Sequence, residues 1–209
     1  MSQSAKFWDK ISARYAKQPV ADKAAYQKKL QITREYLNPE MAVLEIGCGT
    51  GSTAILHAPY VKHIRATDIS AKMIEIAQNK LRAEKIDNIT FEQSAIDDLM
   101  IEAQSIDAVM AHSILHLVED KDEVIAKVYD MLKPGGVFVS STVCMGDSIL
   151  KWIKLIAPLG MLLGFMPAVK VFTGEELEAS ITNAGFEIDH RWLQGGNKAL
   201  FIVAKKPVL

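Results

Sequence analysis

The chain has 209 residues, 49% of them hydrophobic and 23% charged, with a formal net charge of −1. This is the mix of a soluble globular protein; it excludes a disordered chain, a collagen and a coiled coil, and it creates no global field for nucleic acid. A single domain of this length, with or without an appendage, buries a sufficient core without disulfides or structural metal.

Residues 4–37 read as helical, with Phe7, Trp8, Tyr15 and Tyr26 set among many lysines, and Pro19 breaks the stretch. Residues 1–36 hold eight basic and three acidic residues, a net of +5. Asn38-Pro39 marks a boundary, which predicts an N-terminal helical segment over 1–37 and a main domain over 38–209. From residue 41 the pattern alternates strand and helix. Met41–Ile46 reads as a buried strand, followed by a Gly-rich turn and a helix over Ser52–His57. His63–Thr67 is a second strand, and Ser70 is a good N-cap for a helix over 71–83. Asn88–Glu92 and Ile106–Ala111 are the third and fourth strands. Asp120 with Glu123 opens a helix that Lys133-Pro134-Gly135-Gly136 ends, and Val137–Val143 is a fifth strand.

Apolar strands separated by amphipathic helices predict an α/β fold, doubly wound around a mostly parallel sheet. Further on, Thr173 and Glu176 form a capping box for a helix that ends at Gly185. Phe186–Leu193 and Lys198–Ala204 then read as a hairpin joined by Gln194-Gly195-Gly196-Asn197, so one antiparallel strand joins the sheet.

The two cysteines, Cys48 and Cys144, are far apart and in no metal spacing. With the polar start Ser2-Gln3-Ser4 they lead us to expect free thiols, a cytoplasmic protein and no metal site. Leu155–Val169, the longest uncharged apolar stretch, contains Pro158 and Pro167 and falls short of the roughly 20 residues of a spanning helix.

The chemistry is concentrated in Val43-Leu44-Glu45-Ile46-Gly47-Cys48-Gly49-Thr50-Gly51, where glycines are spaced G-x-G-x-G. Glycine permits a tight turn and lets a ligand lie on bare main chain. Asp68 closes the second strand, where doubly wound sheets place an acid against a ribose diol. A tight turn that binds nothing is the plain alternative. The dinucleotide fingerprint G-x-G-x-x-G would have its third glycine at Ser52, and Glu45 would repel a pyrophosphate. A cationic ligand tolerates Glu45 better.

These segments resemble the class I S-adenosylmethionine-dependent methyltransferases, from about residue 41 to the end. Ala66-Thr67-Asp68-Ile69-Ser70-Ala71-Lys72-Met73 resembles the family's DxSxxM segment, and Ser105-Ile106-Asp107-Ala108-Val109 its entry to strand four. Leu115-His116-Leu117-Val118 is similar to the segment after that strand, and Leu132-Lys133-Pro134-Gly135-Gly136 to the one before strand five. The resemblance implies a seven-stranded, Rossmann-like sheet with its last strand reversed. It implies that Glu45 and the loop of Gly47, Gly49 and Gly51 hold the methionine end of the cofactor. It places Asp68 on the ribose, Ile69 and Met73 against the adenine, and Ser94, Ala95 and Ile96 along its edge. The family often has an acid at Ser94, so the adenine amino group is left to a weaker acceptor. Ala111 and His112 are implied to lie near the transferring methyl. Phe7-Trp8-Asp9 with Tyr15 resembles the N-terminal lid of small-molecule members, in which a tyrosine covers the cofactor.

The implied reaction is methyl transfer by in-line displacement to a small, apolar acceptor, with S-adenosylhomocysteine as product. His112 and His116 are candidate bases; four apart, they would share a face on a helical turn. A role for His116 in closing the active-site loop is the alternative. His57 and His63 read as surface or loop residues, and Cys48 as a small packing residue. The segment 146–172 is expected to insert a helical cap, with a net of +3 over 149–172. Core packing, a lid over an apolar substrate, and peripheral docking on an anionic membrane at its inner face stay open for it. Two other functions compete: an NAD-dependent oxidoreductase on a Rossmann-like fold, and a non-catalytic S-adenosylmethionine-binding protein. No nucleic-acid partner is expected.

Overall fold

The computed structural model describes residues 2–147, 166–194 and 199–208. The chain forms two compact units, Met1–Leu99 and Met100–Leu209.

In the first unit two capped helices precede the strands. Ser2 accepts from the Ala5 N–H to open α1 (Gln3–Ala16), and Asp22 does the same from Ala25 for α2 (Lys23–Arg34). β1 (Ala42–Ile46) is buried from Val43 onward and pairs in parallel with β2 (His63–Asp68). β2 in turn pairs in parallel with β3 (Ile89–Gln93). The short α3 (Ser52–His57) follows the glycine turn, and α4 (Ala71–Glu84) starts at its predicted cap, Ser70. Met73, Ile74 and Ala77 make the buried stripe of α4, at the spacing of one helical face.

His57 departs from its expectation as a surface residue. It ends α3 fully buried, with Nδ1 2.9 Å from the Thr53 carbonyl oxygen, and burial lowers its pKa. Ser52 and Leu56 of α3 are exposed, whereas His57 lies on the packed side with Ala54 and Ile55. His63 is half-buried on β2, with Nε2 3.1 Å from Thr90 Oγ1.

In the second unit, β4 (Ile106–His112) runs parallel to β5 (Leu132–Val143), with α5 (Lys121–Met131) between them in sequence. Asp120 caps α5 by accepting from the Asp122 and Glu123 N–H groups. The expected stop at Lys133–Gly136 comes earlier, because α5 ends at Met131 and strand pairing already begins at Leu132. Leu132 lies opposite Ile106, whereas Val137 lies opposite Ala108, so the intervening residues form a bulge. Pro134 has no N–H for the ladder, and Gly135 takes φ 77° within that bulge. Buried Lys206 donates to the carbonyls of Tyr129 and Leu132, satisfying orphan acceptors at the end of α5.

The Thr173–Glu176 capping box is present at the start of α6 (Gly174–Asn183). β6 (Glu187–Leu193) and β7 (Ala199–Lys205) form the expected hairpin, and β7 is antiparallel to both β6 and β5. Residues 195–197 of its connection and residues 148–165 of the expected cap insertion lie outside the described residues. The full strand order is β3-β2-β1-β4-β5-β7-β6, a seven-stranded sheet in which β7 runs antiparallel to both its neighbours. The doubly wound, mostly parallel expectation therefore holds.

Candidate functional site

In the first unit β1 runs into the turn Gly47–Gly51, whose three glycines all take positive φ. At Gly51 φ is 75°, and an added Cβ would lie 2.5 Å from Phe91 Cζ and 2.8 Å from Ala77 Cβ. Glycine is required there by conformation and by space. At Gly49 the φ of 54° is also left-handed, but an added Cβ would meet only Tyr15 Cε1, at 3.8 Å. The Tyr15 ring of α1 thus lies over bare main chain and stays 44% exposed.

Asp68, at the end of β2, ties this turn to the next helix. Its Oδ2 accepts from Gly49 N at 2.8 Å and its Oδ1 from Ser70 N at 2.9 Å. A carboxylate has about four acceptor sites, so capacity remains for further donors. Burial raises the Asp68 pKa, the two N–H donors lower it, and the charge of Asp9 raises it.

Glu45 is almost fully buried on β1. Burial raises its pKa to about 8, against the hydrogen bond from the Ala54 N–H and with the negative charge of Asp68 adding to the rise. Its Oε2 is buried and has no hydrogen-bond partner among the described residues. Glu45 and Asp68 make an acidic recess beside a turn in which Gly47 and Gly49 are half-buried and Cys48, Thr50 and Gly51 are buried. A cationic group with N–H donors would satisfy Oε2 and stabilise the ionised form.

Other expected cofactor residues surround this recess in sequence and hydrogen bonding. Ser94 N donates to the Asp68 carbonyl, and Ser94 Oγ donates to the Ala95 carbonyl. Ile69 is half-buried, whereas Met73 and Ile96 are buried. Cys48 is buried and free, as its packing role requires, and burial pushes its thiol pKa well up.

Three features escape sequence patterns. Tyr26 of α2 brings its hydroxyl 3.3 Å from Thr53 Oγ1, close enough for the charge of Glu45 to raise its pKa after burial has done so. Lys80 Nζ donates to Thr50 Oγ1 and Ser52 Oγ, both at 2.9 Å, bracing the glycine turn from α4. Asp9 of α1 accepts from Ser70 Oγ at 2.6 Å and from Lys72 N at 3.0 Å. The one available signal for Asp9 is that it is the only acid in α1, among three exposed cations.

In the second unit Ala111 is fully buried and His112 closes β4. Ser113 then takes φ 56°, uncommon for a residue with a side chain, while its N–H donates to the Ser141 carbonyl at 2.7 Å. Turns follow, so His112 and His116 do not share a helical face as their spacing suggested. The carbonyl of His116 accepts from Lys170 N at 2.8 Å, which fastens this loop to the segment before α6. Its ring Nδ1 is buried without a partner among the described residues, and burial lowers the pKa to about 4. The ring is therefore neutral at pH 7 and can accept a proton or a hydrogen bond.

Residues 37–185 match the family model described as a methyltransferase domain. The chain belongs to this family, the class I S-adenosylmethionine-dependent methyltransferases. A relative from Priestia megaterium (strain DSM 319 / IMG 1521), a malonyl-[acyl-carrier protein] O-methyltransferase, is 35% identical over 120 residues, 56% of this chain and 42% of the relative. The tRNA 5-carboxymethoxyuridine methyltransferase of Escherichia coli (strain K12) is 32% identical over 100 residues, 47% of this chain and 38% of the relative. The chain thus spans less than half the length of these curated relatives. Among solved structures, the YcgJ protein of Bacillus subtilis superposes with a TM-score of 0.71 at 18% identity, covering 87% of this chain and 99% of that one. That likeness supports the fold. The family's cofactor fits the recess: Glu45 Oε2 is an orphaned acceptor and Asp68 has spare ones.

Proposed function

We propose that the protein moves a methyl group from S-adenosylmethionine to a small, apolar acceptor by in-line displacement. The observation that carries this reading is the acidic recess of Glu45 and Asp68, in which the buried Glu45 Oε2 has no hydrogen-bond partner among the described residues. When bound, the cofactor supplies a methyl activated on a sulfonium, which leaves as a neutral thioether.

The chain's own residues then have to bind, orient and exclude water. Glu45 accepts from the ammonium of the methionine end, which Gly47, Gly49 and Gly51 let approach the main chain. Asp68 uses its spare lone pairs for the ribose hydroxyls. Ile69, Met73, Ser94, Ala95 and Ile96 surround the adenine, and Tyr15 covers the turn from α1. Residues 1–37 act as a lid over the glycine turn. Holding two reacting atoms about 3 Å apart and in line is worth roughly 7–11 kcal/mol of barrier. Ala111 lines the acceptor side. His112 and His116 accept the proton or a hydrogen bond when the acceptor arrives as a phenol or an alcohol.

A nicotinamide dinucleotide fits less well, since its pyrophosphate offers no N–H donor to the unpartnered Glu45 Oε2. An acyl acceptor, free or on a carrier, is in keeping with the Priestia relative, a malonyl-[acyl-carrier protein] O-methyltransferase. Peripheral contact with an anionic membrane is part of this proposal. Its support is Lys6, Lys10, Arg14 and Lys17, exposed along α1 and its C-cap and in no ion pair among the described residues. Among those residues no helix is long and apolar enough to cross a membrane.

The experiment is transfer of a labelled methyl from the cofactor to extractable quinones, phenols and fatty acids. Label in the organic phase is expected. Cofactor binding with no label in any acceptor would leave the non-catalytic binding protein as the better reading.

A further inference from the structure

α4 begins with an unusual sharing of donors. Its cap, Ser70, is fully buried and accepts from Met73 N at 3.1 Å, while its own hydroxyl proton goes to Asp9 Oδ1 at 2.6 Å. The same Asp9 oxygen accepts from Lys72 N at 3.0 Å. A helix start has four N–H groups without internal partners and a positive dipole end. Here one of them is satisfied by a carboxylate that arrives from another helix, 63 positions earlier in the chain.

The contact does not end at α4. Ser70 N donates to Asp68 Oδ1, and Asp68 Oδ2 accepts from Gly49 N. An unbroken chain of hydrogen bonds therefore runs from Asp9 through Ser70 and Asp68 to the glycine turn. On α1, Trp8 stands next to Asp9 and packs edge-on against Tyr15, with ring centroids 6.0 Å apart. Tyr15 lies over Gly49. The helix is thus fixed at two places, to the start of α4 by a charge-assisted pair of hydrogen bonds and to the turn by an aromatic cover.

We propose that Asp9 is a positioning residue for the cofactor recess: by bridging Ser70 and Lys72 it fastens α1 to the start of α4 and so sets Tyr15 over Gly49. The inference rests on the cofactor reading above and adds a residue that acts through Tyr15 and not by touching the ligand. An amide oxygen at position 9 can accept both donors, whereas a methyl can accept neither.

The test compares wild type, Asp9→Asn, Asp9→Ala, Tyr15→Ala and the double variant Asp9→Ala/Tyr15→Ala. Titration calorimetry with S-adenosylhomocysteine gives the dissociation constants, and amide hydrogen exchange on the ligand-free proteins gives the docking of α1. Asp9→Ala is expected to weaken binding about tenfold, the effect of losing a charged hydrogen-bond acceptor. Asp9→Asn is expected to stay within about threefold of wild type, because the acceptor is kept. The double variant is expected to bind much as Tyr15→Ala does, since both changes remove one cover. Asp9→Ala should also lose exchange protection in α1 and keep it in α5.

Independent, multiplying losses in the double variant would overturn the proposal. So would lost protection in α1 with unchanged binding, which would leave Asp9 merely structural. If wild type itself does not bind the nucleoside, the cofactor reading fails, and loss of α1 protection in Asp9→Ala still establishes the fastening separately. Unchanged protection in that variant would overturn the fastening as well.

Discussion

The backbone N–H of Gly49 donates to Asp68 Oδ2 at 2.8 Å. One hydrogen bond thus fixes the first turn of the sheet against the carboxylate that ends the neighbouring strand. The same carboxylate is raised in pKa by burial and by Asp9, while the N–H donors hold it down. Its orientation is set before any ligand arrives, which is what a binding site built for positioning requires.

The two glycines of the turn should respond differently to alanine. Gly51→Ala adds a left-handed residue and a Cβ 2.5 Å from Phe91 Cζ, so about 2–5 kcal/mol of stability is expected to be lost. Gly49→Ala meets open space apart from Tyr15, so only the conformational cost of about 1–2 kcal/mol applies. Urea unfolding of both variants checks the order. Equal losses would contradict the packing of Phe91 against the turn.

Glu45 should make the protein's stability fall with pH. The unfolded chain gives up this proton near its ordinary value of 4.5, and the fold keeps it to about 8. Below 4.5 the group has no effect; between 4.5 and 8 each rise in pH favours the unfolded chain, and above 8 the effect levels off. A ligand ammonium favours the ionised form, so its binding below pH 8 should release a proton. Affinity should rise by up to about tenfold per pH unit toward 8. Calorimetry in buffers of different ionisation enthalpy measures the proton, and Glu45→Gln should abolish it.

His116 should not produce a rate limb near neutrality. With its pKa lowered to about 4 by burial, the ring is neutral from pH 5.5 to 8.5. With an acceptor that carries a proton, His116→Ala is expected to lower kcat by about 100-fold. The kcat profile of the wild type should be flat over that range. A limb between pH 6 and 7 that His116→Ala removes would show the ring to be solvated in the working enzyme.

The cation stripe of α1 predicts retention on anionic vesicles at low salt. Each cation near such a surface contributes about 1 kcal/mol. Replacing Lys6, Lys10, Arg14 and Lys17 by Gln should abolish flotation, as should high salt. No flotation of the wild type at low salt would remove the membrane from the account.

Much of this was legible in the chain. The glycine spacing after an apolar strand, Asp68 after the next one and the Thr173–Glu176 box are local signals with local causes, and the fold keeps them. What stayed hidden depends on partners far away in sequence. The burial of His57 follows from packing around a helix too short to show a period. The early start of β5 follows from Ile106, which pairs with Leu132 across a stretch whose Pro and Gly read as a stop. Asp9 meets Ser70 over 61 positions, and no spacing rule spans that distance. The i, i+4 spacing of His112 and His116 misled because Ser113 turns left-handed between them.

The most direct test is thermal unfolding with S-adenosylhomocysteine and, separately, with NAD. A ligand at 100 times its dissociation constant adds about 2.7 kcal/mol, or roughly 5–10 °C in Tm for a chain of this size. We expect such a rise with the sulfur nucleoside, none with NAD, and none with either in Asp68→Ala. A rise with NAD alone, or a nucleoside-induced rise that survives in Asp68→Ala, would contradict the assignment of the recess.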